Sequence, residues 1–234
     1  PHSVRILWLY FSLFVGFDKC CFMVSEEKVE WVFLKLLCKF GRQKWWPRIW
    51  KDGDFLDEII IGAILTQNVS WKNVEKALMN LERRGIKSIE KLVKLKDEEA
   101  YRVLKPAAFV KRKIRTLREV YKVVQNKKPK REDLLNVYGI GEETADVILL
   151  YAYNEPVFIV DEYTKRWFER FFGLRVDNKT LKRHLHISDD LFYLREMHAL
   201  LDELGKRYCK KRPLCEACPL RGKCGYIQSQ PYNT

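Results

Sequence analysis

The sequence predicts an all-α protein, and three observations support that fold class. Apolar residues recur at three- and four-residue spacing through most of the chain from Ser25 onward, which is the pattern of helices with one buried face. Few runs alternate between apolar and polar residues, so no long strand is expected. Residues that stop helices or start turns separate the periodic segments, at Gly53, Gly85, Pro106, Pro129, Gly139, Gly141 and Pro156.

The predicted helices, in chain order, are Glu26–Phe40, Phe55–Leu65, Trp71–Arg84, Glu98–Leu104, Lys111–Gln125, Glu142–Tyr151, Tyr163–Phe172 and Leu191–Tyr208. A short helix is also expected over Asp133–Val137. The chain has 234 residues, of which 47% are hydrophobic, and this is ample for one or two folded domains. We expect Trp45, Trp46 and Trp50 to be core residues, and none of the four histidines has a persuasive ligand spacing.

The first 22 residues form a distinct apolar extension. Ile6–Phe17 is an uncharged apolar run of twelve residues, too short to span a bilayer, which needs about 20. It resembles the apolar region of a signal peptide, but no small-residue cleavage site follows. Residues 1–22 therefore either precede the folded domain or pack on it as an extra strand or helix.

The charge of the chain favours a polyanionic partner. The formal net charge is +13, so nucleic acid is the first expectation and an acidic membrane surface the second. Basic clusters at Lys111–Arg115 and Lys127–Arg131 fit this expectation, although charge runs are more often solvated helix faces.

Four cysteines near the end of the chain have the spacing of a metal centre. The pattern is C-x5-C-x2-C-x5-C, formed by Cys209, Cys215, Cys218 and Cys224. Four thiolates so placed suit a [4Fe–4S] cluster or a structural zinc. Free or disulfide-bonded cysteines are the alternative, but seven cysteines make an odd number, and a reducing, intracellular setting is the better inference. Basic residues that we expect to bind phosphates follow the first cysteine: Lys210, Lys211 and Arg212.

A glycine hairpin lies between the two helices of Asp133–Tyr151. Gly139 and Gly141 allow a tight turn and a close approach to a ligand. The following helix offers unpaired N–H groups and the positive end of its dipole, which suits a DNA phosphate. Ile140 would pack between the helices. An ordinary helix–helix turn is the alternative.

An aspartate follows the buried run Phe158–Val160. Asp161 lies directly ahead of a helix, where aspartate is a common N-cap. A buried carboxylate would also stabilise the positive charge that develops on a sugar when an N-glycosidic bond breaks. The position of Asp161 alone does not decide between a helix cap and a catalytic carboxylate.

The hairpin, the aspartate about twenty residues later and the four-cysteine loop together resemble the helix-hairpin-helix DNA glycosylases of the endonuclease III type. The resemblance covers Val24 to Cys224. It implies two lobes, one from residues 23–54 and 152–208 and one from 55–151 with the hairpin motif at 133–151. It also implies a [4Fe–4S] loop at 209–224, a tail at 225–234, and catalysis by Asp161 on a flipped, damaged or mismatched base in double-stranded DNA.

Two positions depart from the family pattern. Bifunctional members have a lysine where this chain has Glu143, and a carboxylate cannot form the imine that strand cleavage requires. The sequence therefore predicts a monofunctional base excision glycosylase with weak or absent lyase activity. Glu143 would hydrogen-bond the base or the water, or be an ordinary first-turn carboxylate. The first cysteine gap is five residues, where endonuclease III has six, which leaves zinc as an alternative.

Further site residues follow from the resemblance. Gln67 would fill the hole left by the extruded base, Phe109 would enter the base stack unless it is a core residue, and Tyr163 would line the base pocket. Lys111 and Lys113 would bind phosphates, together with Arg112.

The expected base is uracil. The segments ILTQN, GIGEETADVILLYA and VDEY are similar to those of archaeal uracil glycosylases, which keep the cysteine loop, and of 3-methyladenine glycosylases, of which the most similar type lacks it. An alkylated purine or another endonuclease III substrate is the alternative. From other classes, a non-catalytic DNA-binding module or a membrane-surface protein remains. We expect a cytoplasmic, nucleoid-associated monomer with no membrane partner.

Overall fold

The computed structural model describes residues 24–229. The predicted extension at 1–22 and residues 230–234 of the predicted tail lie outside that range. Across residues 24–229 the chain is helical and has no β-strand, so the predicted all-helical character is confirmed there. The helices are α1 Glu26–Phe40, α2 Phe55–Leu65, α3 Trp71–Arg83, α4 Ile89–Val93, α5 Asp97–Leu104, α6 Val110–Val124, α7 Arg131–Leu135, α8 Glu142–Val147, α9 Glu162–Phe172, α10 Asn178–Leu185, α11 Leu191–Arg207 and α12 Gly225–Gln228.

Short turns of other helical types join these elements. A 3₁₀ turn at Lys105–Ala107 links α5 to α6, and two more shape the cysteine loop at Cys215–Ala217 and Arg221–Lys223. The predicted helix Glu142–Tyr151 divides in two, because a π-helical turn at Ile148–Ala152 continues from α8.

Three helices were not predicted, α4, α10 and α12. All three are short, and helices of one or two turns depend on caps more than on periodicity. In α10 the Asp177 carboxylate accepts a hydrogen bond of 2.8 Å from the Thr180 N–H, and Leu181 and Leu185 are buried. The aspartate and the two leucines were the available sequence signal.

The first helix of the hairpin motif begins earlier than predicted. We expected Asp133–Val137, and α7 is Arg131–Leu135. The Asp133 carboxylate accepts a hydrogen bond of 3.0 Å from the Lys130 N–H, so Asp133 closes the first turn and does not begin the helix.

Buried side chains form two hydrophobic clusters. One is built from α2 to α8 and includes Trp50, and the other is built from α1, α9, α10 and α11. Residues of the π-helical turn pack on both clusters, as does Val147. The two clusters therefore meet along the end of α8, which places the residues before and after that helix near the boundary.

No helix between residues 24 and 229 has the length and apolar character needed to cross a membrane.

Candidate functional site

A cleft of about 910 Å³ opens where the two clusters meet. Its walls come from the end of α2, the start of α8, the start of α9 and one face of α11, with a tryptophan-rich loop on one side. The predicted site residues in its lining are Gln67, Glu143, Asp161, Tyr163, Lys210 and Lys211. Residues far apart in sequence thus face one space.

Asp161 is both an N-cap and a cleft residue. It is only 8% exposed, and its Oδ1 accepts a hydrogen bond of 2.7 Å from the Thr164 N–H at the start of α9. Its Oδ2 lies 4.0 Å from Nε2 of His198 on α11. One carboxylate oxygen therefore anchors the side chain, and the other is directed toward the imidazole.

Glu143 differs from an ordinary first-turn carboxylate of a helix. Its side chain is open to the cleft, yet the surrounding protein removes much of its water. This desolvation, reinforced by the negative charge of Asp161, raises the pKa of Glu143 to about 7. Near neutral pH a substantial fraction of Glu143 therefore carries a proton and can donate a hydrogen bond.

Charged and polar residues of α11 complete this wall. Nδ1 of His198 lies 2.9 Å from the hydroxyl of Tyr151, and burial raises the pKa of that phenol. Burial also raises the pKa of Asp202, which pairs with Lys206. Sequence reasoning missed His198, although His198, Asp202 and Lys206 recur every four residues along α11 and so lie on one face of it.

Two of the three tryptophans predicted as core residues line the cleft instead. Trp50 is buried as predicted, whereas Trp45 and Trp46 are half-buried cleft residues beside Trp71. The ring centroids of Trp45 and Trp46 lie 5.1 and 5.0 Å from that of Trp71. These indoles form an aromatic wall suited to a flat ring.

A buried carboxylate of α2 holds the backbone of the tryptophan loop. Glu58 accepts hydrogen bonds from the backbone N–H groups of Ile49 and Trp50, at 2.5 and 3.1 Å. The loop is thereby fixed over α2. A Cβ at Gly62 would lie 2.7 Å from Cζ2 of Trp46, so glycine is what allows that indole to lie against α2.

The ring of Tyr163 lies against α11. A Cβ at Gly205 would lie 2.1 Å from Cδ1 of Tyr163, and the Arg166 guanidinium is 5.0 Å from the ring centroid. Tyr163 lines the cleft from the first turn of α9.

The hairpin has the geometry expected of a close-approach turn. Gly139 has φ of +81°, and a Cβ there would lie 2.6 Å from Oγ1 of Thr116. Ile140 is 6% exposed and packs in the first cluster. At Gly141 an added Cβ would meet no atom within 4 Å, so the hairpin is open on that side.

Gln67 and Phe109 occupy turns on the same side as the hairpin. Gln67 Nε2 donates to the Gly139 carbonyl at 2.9 Å and to Thr144 Oγ1 at 3.1 Å. Phe109 is 65% exposed and has φ of +45°. Phe109 is thus not a core residue.

The prediction that Lys113 binds DNA phosphates is wrong. Lys113 is 2% exposed, because it lies on the apolar face of α6 with Val110 and Ile114. Lys111 and Arg112, in contrast, are exposed on α6.

The basic residues of the cysteine loop divide into two groups. Lys210 and Lys211 line the cleft, and Arg212 is exposed outside it. Arg170 on α9 donates to the Lys210 and Lys211 carbonyls at 2.6 and 3.0 Å, which holds the loop on the second cluster.

The four cysteines of the loop are neighbours. Burial, with a smaller effect of the other three thiols, raises the pKa of Cys218 to about 11. The Arg170 guanidinium lies 3.4 Å from the sulfur of Cys209. Between residues 24 and 229, no three or more histidine, cysteine, aspartate or glutamate side chains are arranged so that they could hold a metal ion. The donor set, four thiols in one loop beside a guanidinium, nevertheless fits a thiolate-bound centre.

Known proteins are similar to this chain in sequence and in architecture. A family model for HhH-GPD superfamily base excision DNA repair proteins matches residues 61–188. A Methanocaldococcus jannaschii protein, named as a candidate DNA repair glycosylase, is 36% identical over 86% of this chain and 99% of its own length.

Solved structures of DNA glycosylases are similar to this fold. Endonuclease III, trapped in a covalent intermediate with DNA, superposes with a TM-score of 0.72 at 18% identity, covering 87% of this chain and 97% of its own. A 3-methyladenine DNA glycosylase of H. pylori bound to 1,N6-ethenoadenine gives a TM-score of 0.64 at 25% identity, covering 77% and 96%. The chain belongs to the HhH-GPD superfamily of base excision DNA repair proteins, as a DNA glycosylase of the endonuclease III superfamily.

Proposed function

We propose that this protein is a monofunctional glycosylase that removes uracil from double-stranded DNA by hydrolysing the N-glycosidic bond of a flipped nucleotide. The observation that carries the proposal is the presence of two carboxyl groups, Asp161 and Glu143, in one aromatic-lined cleft at the boundary of the two clusters. A carboxyl group at position 143 leaves no amine there for imine chemistry.

Asp161 is the proposed catalytic carboxylate. As the bond from C1′ to the base breaks, positive charge develops on the sugar, and a fixed carboxylate stabilises it or orients the attacking water. Oδ1 is held by the Thr164 N–H, so Oδ2 is the oxygen available to the sugar. The cap fixes the position of the catalytic group.

Glu143 is the proposed hydrogen-bond donor to the departing base. With its pKa raised to about 7, a neutral carboxyl group is available near physiological pH. Donation to a carbonyl oxygen of uracil would stabilise the negative charge that the base acquires as it leaves. Tyr163 would contact the base from the α9 wall.

DNA would approach across the hairpin and the two neighbouring turns. We assign phosphate contacts to the hairpin of Gly139, Ile140 and Gly141, and to Lys111. Gln67 would enter the hole left by the flipped nucleotide, and Phe109 would wedge into the stack. Further phosphate contacts come from the cysteine loop: Lys210, Lys211 and Arg212.

A metal centre in the cysteine loop belongs to the proposal. Cys209, Cys215, Cys218 and Cys224 would hold a [4Fe–4S] cluster, with zinc as the alternative. When bound, the centre stabilises the fold of a loop too short for its own core. The residues around it then present their basic side chains to DNA.

The aromatic wall favours a second candidate base. Three indoles, Trp45, Trp46 and Trp71, beside carboxyl groups suit a cationic alkylated purine, because a cation gains from both the ring faces and the negative charge. The H. pylori relative is named for 3-methyladenine. Uracil is preferred because the similar archaeal uracil glycosylases keep the cysteine loop.

The test is base release from labelled duplexes that carry U·G, U·A, T·G, 3-methyladenine or 8-oxoguanine, each with and without alkali. The expected result is alkali-dependent cleavage at uracil, lost in Asp161→Asn. Asp177→Asn is the matched control, because Asp177 caps α10 with the same geometry at 2.8 Å but lies away from the cleft. Release of 3-methyladenine alone would favour the second candidate.

Two other results would reject the proposal. Binding without release from any duplex would indicate a DNA-binding module. Cleavage without alkali, at a rate equal to base release, would indicate a bifunctional enzyme.

A further inference from the structure

One ammonium group joins the ends of two helical segments. Nζ of Lys113 donates to the Leu65 carbonyl at 2.8 Å and to the Ala107 carbonyl at 2.6 Å. Leu65 is the last residue of α2, and Ala107 is the last residue of the 3₁₀ turn before α6. Such terminal carbonyls lack partners within their own helix and carry partial negative charge, so they are good acceptors for a cation.

Each of these ends leads directly into a turn with a left-handed residue. After Leu65 the chain passes through Gln67 to Asn68, where φ is +55°. After Ala107 it passes through Ala108 and Phe109, where φ is +47° and +45°. Non-glycine residues rarely adopt this conformation, and they persist in it where surrounding contacts hold them.

We propose that Lys113 is a positioning residue that holds the Gln67 turn and the Phe109 turn at a fixed separation, so that both side chains enter the DNA stack together during base extrusion. The inference rests on the proposed function, which gives those two side chains their tasks. Lys113 touches neither the base nor the phosphates.

The burial of Lys113 is difficult to explain by packing alone. Desolvation, with a smaller effect of Arg112, lowers the pKa of Lys113 to about 8, which shows that burying this amine is costly. A methionine would fill similar space without that cost. Arg112, one residue earlier on the outer face, lies 3.4 Å from Oε1 of Gln67, so α6 supports the same turn on both sides.

The test separates extrusion from bond cleavage. Single-turnover release of the same base is measured from a duplex and from a single strand, in which nothing has to be displaced from a helix. Lys113→Met is expected to slow the duplex reaction on the order of 10²-fold and to leave the single-strand reaction within about twofold. Lys122→Met, an exposed lysine at the other end of α6, should change neither rate.

A double-mutant cycle with Phe109→Ala guards against a folding artefact. If Lys113 acts through the Phe109 turn, adding Lys113→Met to Phe109→Ala costs less on the duplex than it does alone. Lys113→Gln takes its place in the same cycle if Lys113→Met does not fold. Equal losses on both substrates, or additive losses in the cycle, would overturn the inference.

Extrusion is also measured without excision. Fluorescence of 2-aminopurine next to the target nucleotide rises when a base leaves the stack, and Lys113→Met should reduce that rise at saturating protein. An unchanged rise would overturn the inference. A wild-type protein that gives the rise but releases no base would count against the proposed function instead.

Discussion

Oδ1 of Asp161 accepts a hydrogen bond of 2.7 Å from the backbone N–H of Thr164. This bond makes a catalytic role and a capping role separable by substitution. Asparagine caps helices about as well as aspartate does, but it carries no charge to stabilise a cationic sugar.

Asp161→Asn should therefore lose activity without losing stability. We expect the rate of base release to fall by about 10³-fold or more, with the midpoint of thermal unfolding nearly unchanged. Asp161→Ala should lose the same activity and also about 1 kcal/mol of stability, because the cap is gone. Thermal unfolding and single-turnover excision on the three proteins provide the check. If Asp161→Asn unfolds at a much lower temperature, and its activity falls in proportion, Asp161 acts as the helix cap alone.

The pH dependence of excision should report on Glu143. Its pKa is raised to about 7, so the neutral donor form dominates below that pH and is lost above it. Base release should therefore decrease as pH rises through about 7, and Glu143→Gln, whose amide donates at any pH, should flatten that limb.

Glu142→Gln is the matched control for this profile. Glu142 adjoins Glu143, but it is exposed and its side chain accepts a hydrogen bond of 3.1 Å from Asn178, which lowers its pKa. Its replacement should leave the alkaline limb in place. An activity of the wild type that rises through pH 7 would instead mean that the ionised form of Glu143 is the active one.

Most helices could be predicted from the sequence because their apolar pattern extends over several turns. The bounds of α1 and α2 were predicted to the residue, whereas α4 and α10 contain too few turns for periodicity to identify them. The candidate catalytic residues could also be recognised in the sequence, because Asp161 and Glu143 lie at helix starts that follow recognisable turns. Long periodic helices and helix starts are local properties of the chain.

The errors have two different origins. Lys113 was assigned to phosphates, although its spacing of three residues from Val110 and four from Leu117 places it on the buried face of α6. That error could have been avoided from the periodicity of α6. Trp45 and Trp46 were assigned to the core, and the structure holds their loop through Glu58, which accepts hydrogen bonds from the backbone that follows them. Such backbone hydrogen bonds are not encoded in any periodicity of the sequence.

Removal of the cysteine ligands should test the metal centre apart from catalysis. Purified protein is expected to contain about four irons per chain and to absorb visible light. Cys218→Ser should reduce the iron content and weaken duplex binding, because Lys210 and Lys211 lose a fixed position. Cys38→Ser is the control, since Cys38 is exposed on α1. One zinc and no iron would favour the alternative centre.

Replacing Glu143 by lysine should introduce the chemistry that the wild type lacks. The cleft that raises the pKa of Glu143 by desolvation would lower the pKa of a lysine at the same position, which favours the nucleophilic free amine. We expect Glu143→Lys to form an imine with C1′ of the flipped nucleotide, and borohydride should trap it as a covalent complex with DNA. Glu142→Lys places the same amine one residue away, beside Asn178 and Arg131, and should give no trapped complex. Equal trapping by both variants, or by the wild type, would show that position 143 does not decide between hydrolysis and strand cleavage in this protein.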